Sequence, residues 1–117
     1  MKIAIDFDDT ITEISPYPIT GKVREDAKLY IKKLWDDGHT LILWTSRGGK
    51  YLDEAIDVLR ESGLLPYFSF INDDGSQIQK SRKINADFYI DDRSMFKEIK
   101  WKEWYDHIKE VSDDRNN

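Results

Sequence analysis

The sequence predicts a single three-layer α/β domain, with a parallel sheet of about four strands and helices on both faces. Short apolar segments alternate with segments whose apolar residues recur every three or four positions, the spacing of amphipathic helices. The chain has 117 residues, which suffices for one hydrophobic core and leaves no room for a second. We expect the domain to span residues 1–111 and the polar residues 112–117 to fray.

The predicted elements follow each other in the order β-α-β-α-β-β-α. Strands are expected over 2–7, 40–45, 67–71 and 88–90, and the second is apolar on both sides until Thr45, as in a strand that is covered on both faces. A helix of about four turns should begin at Val23 and end at Gly38, whose conformational freedom suits a helix C-terminus. A second helix covers 52–59, and a third carries a core stripe that starts at Trp101.

Composition limits the class of protein. Hydrophobic residues make up 39% of the chain and charged residues 35%, a balance typical of a folded globular domain. A net charge of -5 argues against broad nucleic-acid binding, and without cysteine we expect any metal site to use oxygen ligands. No apolar stretch approaches the roughly 20 residues that span a bilayer, and the N-terminus lacks signal-peptide features. We therefore expect a cytoplasmic protein without a membrane partner.

Polar side chains follow three of the predicted strands. Asp6 and Asp8 lie two residues apart on one face of the first strand, so their carboxylates converge. Like charges at that range repel unless a cation lies between them or the two form an acid/base pair. Thr45 ends the second strand, and Asp91 and Asp92 follow the last. Because ligands bind beyond the carboxyl ends of parallel strands, we expect these groups to share one site.

Acidic groups of this kind suit phosphoryl transfer. Asp6 can attack phosphorus to give an aspartyl phosphate, and Asp8 can protonate the leaving oxygen and later deprotonate a water. Asp91 or Asp92 can complete a Mg²⁺ site, since this ion prefers oxygen ligands and keeps several waters. The residues alone do not decide which of the last two touches the metal.

The remaining parts of such a site are phosphate contacts. The Thr45 hydroxyl and the backbone amides of Ser46 and Arg47 can hold phosphate oxygens. A lysine, Lys83 or Lys80, can screen the nucleophile from the phosphate, and Lys83 is the better placed. Two interpretations of the Arg47 side chain stand equally: a phosphate or specificity contact, or a surface arginine in a Gly-rich loop.

In order and context, these residues resemble the four motifs of haloacid dehalogenase-like (HAD) phosphatases. The motifs are Asp6-Phe7-Asp8-Asp9-Thr10, Thr45, a lysine, and Asp91-Asp92. The resemblance implies a Rossmann-like fold and Mg²⁺-dependent hydrolysis of a phosphate monoester through a phosphorylated Asp6. It also implies that Asp8 binds the metal through its backbone carbonyl while its side chain transfers protons.

The sequence departs from many HAD members in having no room for a cap domain, because residues 11–22 form only a short loop. In this family an uncapped site usually goes with a bulky substrate or with a lid from another subunit, so the resemblance implies one of these. An exposed Tyr17 or Trp35 is compatible with such a homo-oligomer. The substrate is a phosphorylated compound whose identity the sequence does not encode.

Three other interpretations compete with a phosphatase site. A calcium loop that starts at Asp6 fails, because Ile11 stands where that loop needs glycine and Tyr17 where it needs glutamate. A receiver-type signalling domain would carry its phosphoacceptor on a middle strand. Here the second strand ends in Thr45 and the third ends near Asn72. The alternative function is a catalytically silent HAD-like or receiver-like module that binds phosphate or metal.

Overall fold

The four predicted strands form one fully parallel sheet in a computed structural model that describes residues 1–75, 84–91 and 100–116. The strands are β1 (Lys2–Asp6), β2 (Thr40–Trp44), β3 (Phe68–Ile71) and β4 (Phe88–Ile90), in the order β3-β2-β1-β4. The predicted α/β class and the Rossmann-like parallel arrangement are confirmed. β1 lies inside the sheet between β2 and β4, so the residues that follow it emerge at the middle of the carboxyl edge.

The described helices are α1 (Glu25–Asp36), α2 (Gly49–Glu61) and α3 (Trp101–Asn116), and a short 3₁₀ helix spans Leu65–Tyr67. The predicted start of α1 and the predicted end of α3 are wrong, and α2 extends beyond the predicted 52–59 at both ends. α1 has 12 residues, just over three turns, because Val23 pairs with Thr12 in an antiparallel bridge instead of starting the helix. α3 continues through the polar residues to Asn116, and Arg115 in its last turn contacts Asp87 at 3.4 Å.

The end of α1 agrees with its prediction. Gly38 has a φ of 91°, and its amide donates to the carbonyl of Trp35 while the amide of His39 donates to that of Leu34. A side chain at this left-handed position would be strained, so glycine suits the stop.

The main core lies between one face of the sheet and all three described helices. Residues of β1, β2 and β4 on this face pack with the buried stripes of α1, α2 and α3, including Trp101, which is 1% exposed. The opposite face carries a smaller cluster of Ala4 and Ile42 with Ile84 from the β3–β4 connection. Residues 76–83 of this connection lie outside the described residues, so the helix layer expected on this face stays a prediction.

The segment between β1 and α1 is the short loop that the sequence predicts, here called the 12–23 loop. Its base is closed by the Thr12–Val23 bridge, and the Asp9 carboxylate accepts a hydrogen bond from the Ser15 amide at 3.0 Å. Tyr17 near its tip is 59% exposed, and Trp35 on α1 is 48% exposed, as expected. Among the described helices, none combines the length and apolar character needed to cross a membrane.

Candidate functional site

Asp6 is the last residue of β1, and the turn after it fixes its carboxylate. Asp9 adopts a φ of 61°, which lets the chain reverse so that the amide of Thr10 points back at the Phe7 carbonyl. The buried Thr10 hydroxyl then donates to Asp6 Oδ2 at 3.2 Å. The indole of Trp101 donates to the Thr10 carbonyl at 3.0 Å, so α3 anchors the residue that orients Asp6.

Thr45 follows β2 in a turn that Asn72 stabilises. The Asn72 side-chain oxygen accepts a hydrogen bond from the Thr45 backbone amide at 2.8 Å. The Asn72 backbone amide donates to the Leu43 carbonyl at 2.8 Å. Asn72 has a φ of 53°, a conformation that asparagine tolerates better than most residues. The sequence predicts only a turn at Asn72, and the signal for its contact with Thr45 is its position directly after β3.

One of the backbone amides expected to donate to phosphate, that of Arg47, lies in this turn. The amide of Arg47 donates to Thr45 Oγ1 at 3.1 Å. Of the two backbone amides expected to hold phosphate, this one is therefore already engaged with a side chain. Ser46 and Thr45 both face the cavity described below.

The Arg47 side chain is buried, so its interpretation as a surface arginine is wrong. Its Nε donates to Asp8 Oδ2 at 2.8 Å and its Nη2 to Asp8 Oδ1 at 2.7 Å, a bidentate ion pair. The guanidinium also donates to the carbonyls of Pro18 at 3.1 Å and Tyr51 at 3.3 Å. The hydrogen bond to Asp8 raises the pKa of Arg47. The Arg47 side chain therefore holds the Asp8 carboxylate, and its contact with phosphate stays a prediction.

A cavity of about 590 Å³ lies at the carboxyl edge of the sheet. It brings together residues from three strand ends, as predicted for Asp6, Asp8, Thr45, Ser46 and Asp91. Lys80, Lys83 and Asp92 lie outside the described residues. The described residues that line the cavity are Asp6, Asp8, Tyr17, Trp44, Thr45, Ser46 and Asp91.

The donor set of this cavity fits Mg²⁺ in part. Within the described residues, no three acidic or histidine side chains converge closely enough to hold a metal by themselves. Mg²⁺ is usually bound by one or two carboxylates, with waters and substrate oxygens filling its remaining positions. Asp6 and Asp91 supply two such carboxylates at the cavity. The Asp8 carboxylate is paired with Arg47, so a contribution from its backbone carbonyl is the better fit.

A parallel sheet with an acidic cavity at its carboxyl edge defines a small Rossmann-like α/β protein, and the cavity lies where proteins of this class usually bind ligands. No family model matches the chain, and no curated protein matches it. A solved structure, described as the conserved protein coded by a locus from Bacteroides thetaiotaomicron, is 42% identical with a TM-score of 0.83. The match covers 95% of this chain and 91% of that one. The chain belongs to the same family as this Bacteroides protein.

Proposed function

We propose that the protein is a Mg²⁺-dependent, HAD-like phosphatase that hydrolyses a phosphate monoester through an aspartyl phosphate on Asp6. The observation that carries the proposal is the position of Asp6. Its carboxylate lies at the central strand end, is held by the Thr10 hydroxyl at 3.2 Å, and shares one cavity with Asp8, Thr45 and Asp91. A fixed carboxylate beside further acidic groups suits an in-line attack on phosphorus once the negative charges are neutralised.

The reaction has two balanced steps. In the first, an Asp6 carboxylate oxygen forms a bond to phosphorus, the phosphorus–ester oxygen bond breaks, and the leaving oxygen takes a proton from Asp8. In the second, a water gives its proton to Asp8 and attacks phosphorus, which releases inorganic phosphate and restores the Asp6 carboxylate. Thr45 and Ser46 line the cavity where the phosphate oxygens would lie. The reaction consumes one water and needs no oxidant.

The ion pair with Arg47 bears differently on the two steps. Both Asp8 oxygens accept a hydrogen bond from the guanidinium. A carboxylate oxygen can accept a second hydrogen bond, so the pair is compatible with Asp8 as a base toward water. For Asp8 to act as an acid, the pair must loosen when substrate enters.

Charge explains why the proposal includes a metal. Of the three carboxylates among the described residues that line the cavity, Asp8 is paired with Arg47, and a phosphate dianion beside Asp6 and Asp91 needs added positive charge. Asp6 and Asp91, with the Asp8 carbonyl, would hold Mg²⁺, which supplies that charge to the phosphate oxygens. Lys83 remains the proposed screening lysine.

The test is hydrolysis of an aryl phosphate with and without Mg²⁺, by the wild type and by Asp6→Asn. We expect turnover that depends on Mg²⁺ and falls by at least about a hundredfold in Asp6→Asn. A matched control is Asp57→Asn, because the Asp57 side chain is 63% exposed on α2 and should not affect turnover. Undiminished activity in Asp6→Asn, or activity without any divalent metal, would contradict the proposal.

A second candidate function is a silent phosphate- or metal-binding module, favoured by the ion pair that engages both oxygens of Asp8. Such a module would bind Mg²⁺ and phosphate without turnover. Beryllium fluoride separates the two, because it would inhibit a phosphatase and would instead change the partner binding of a receiver-like module.

A further inference from the structure

Two aromatic side chains border the same cavity as the acidic residues. Tyr17 reaches it from the 12–23 loop, and Trp44 reaches it from the end of β2. The lining is therefore divided by chemistry: carboxylates and hydroxyls suited to a phosphate, and rings suited to a planar apolar group. The proposed phosphatase reaction accounts for the first part and leaves the second without a role.

Tyr17 is held in place although most of its side chain is exposed. The Arg47 guanidinium lies 5.3 Å from the centre of its ring, within the range of a cation–π contact. The ring also meets that of Tyr51 edge to face, with 5.8 Å between the ring centres. Arg47 accordingly contacts both the Tyr17 ring and the Asp8 carboxylate. Tyr17 is 59% exposed and held by these contacts, so it offers a preorganised surface to a ligand.

Trp44 is fixed by the sheet. It pairs in register with Asp6, so its backbone neighbours that of the proposed nucleophile. Its side chain is half-buried and packs against the small core cluster that contains Ala4 and Ile42. An indole that packs against the core on one side is held in place, which lowers the entropy cost of binding a ligand on its other side.

The size of the cavity also bears on the ligand. The cavity of about 590 Å³ falls within the range of pockets that enclose whole small molecules, well above the needs of one phosphate group. A phosphate joined to a group that carries a ring fits a cavity of this size.

From these contacts we infer that the substrate is a phosphate monoester whose leaving group carries an aromatic ring, bound against Tyr17 and Trp44. The inference rests on the proposed function for the reaction itself, in which the bonds made and broken are unchanged. Two sources share this chemistry: a nucleoside 5′-monophosphate and an aryl phosphate such as phosphotyrosine. Both place a ring beyond the phosphate, and a sugar phosphate does not.

The experiment compares kcat/KM for AMP, phosphotyrosine and ribose 5-phosphate in the wild type and in Tyr17→Leu and Tyr17→Phe. Stacking on an aromatic side chain is worth about a tenfold factor per ring. We expect the wild type to prefer at least one ring-bearing substrate over ribose 5-phosphate by about that factor. Tyr17→Leu should lose most of this preference, and Tyr17→Phe should retain it. Ratios within one variant cancel any common loss caused by disturbing Arg47.

Trp35→Leu is the matched control. Trp35 is an exposed aromatic residue on α1, and its ring packs on Tyr67 beside the start of β3, at the opposite edge of the sheet. Its replacement should leave the substrate ratios unchanged. Equal kcat/KM for AMP, phosphotyrosine and ribose 5-phosphate in the wild type would overturn the inference, as would ratios that Tyr17→Leu does not alter.

Binding separates this inference from the proposed function. Calorimetry with Asp6→Asn and Mg²⁺ measures the affinities for the same three compounds without turnover. One outcome is that neither the wild type nor any variant shows hydrolysis, while AMP or phosphotyrosine binds about tenfold more tightly than ribose 5-phosphate. In that case the catalytic proposal fails and the aromatic site stands. If hydrolysis occurs and the three affinities are equal, the aromatic site fails and the phosphatase stands.

Discussion

Replacing Arg47 with methionine removes a guanidinium that is fully enclosed by neighbouring residues. The side chain is fully buried, and it lies between the rings of Phe7 and Tyr17, whose centres are 5.4 and 5.3 Å from its Cζ atom. Its two shortest hydrogen bonds, 2.7 and 2.8 Å, go to the Asp8 carboxylate. Methionine keeps much of the apolar volume, so the change removes mainly the charge and the hydrogen bonds.

The expected loss follows from burial. Removing one partner of a fully buried ion pair costs about 3–5 kcal/mol of stability, because the other charge is left unpaired. The Asp8 side chain is 29% exposed, so water can partly solvate the stranded carboxylate. We therefore expect Arg47→Met to lower the free energy of unfolding by about 2–3 kcal/mol. A domain of this length is stable by about 5–15 kcal/mol, so the variant should still fold.

The assay is a double-mutant cycle by chemical denaturation, with Arg47→Met, Asp8→Asn and the double variant. The chain contains a matched control in Arg24 and Asp26, which form a bidentate pair with two contacts of 2.9 Å on a more exposed surface. We expect a coupling energy of about 2 kcal/mol for the Arg47–Asp8 cycle and at most about 0.5 kcal/mol for the Arg24–Asp26 cycle. Equal coupling energies in the two cycles would refute the reasoning that burial makes Arg47 the organiser of the site.

Three further predictions concern single groups. Burial and the nearby N-terminal amine lower the pKa of His39 below its ordinary 6.5. The folded protein thus binds this proton more weakly than the unfolded chain, so stability should fall as the pH drops below 6.5, and His39→Gln should flatten that dependence in denaturation at pH 8 and pH 5. The hydrogen bond to Asp37 raises the pKa of Tyr105 to about 12. The stability it contributes is present below pH 10 and lost toward pH 12, so Tyr105→Phe should cost about 0.5–1 kcal/mol at pH 8 and remove one late step from a spectroscopic tyrosine titration. Thr10→Val should lower kcat about tenfold with little change in KM, and Thr10→Ser should restore it, because the hydroxyl orients Asp6.

The elements of the fold were accessible from sequence because their apolar patterns are local. Five buried or half-buried residues make β2 readable as a strand, and the spacing of Ala27, Ile31 and Leu34 makes α1 readable as a helix. The start of α1 was not accessible. Val23 fits the helical spacing equally well, and what excludes it is its pairing with Thr12 across the loop, a contact that no local pattern encodes.

Some residues of the candidate site could likewise be predicted from sequence, and others could not. Residues placed by strand ends were predictable, because parallel strands bring Asp6, Thr45 and Asp91 to one edge whatever the details of packing. The pairing of Asp8 with Arg47 spans 39 positions and depends on how the turn after β2 folds over the turn after β1. A contact between two irregular segments has no periodic pattern from which it could be predicted. The hydrogen bond from the Thr45 amide to the Asn72 side chain is another such contact.

The most direct test of the proposed reaction is detection of a phosphoryl group on Asp6. Turnover of an aryl phosphate in Mg²⁺ is quenched in acid within the first cycle, and the protein is digested and mapped by mass spectrometry. We predict a phosphoryl group on the peptide that contains Asp6, and its absence from Asp6→Asn treated in the same way. Steady hydrolysis with no phosphorylated protein, or with the phosphoryl group on another residue, would contradict the assignment of Asp6 as the nucleophile.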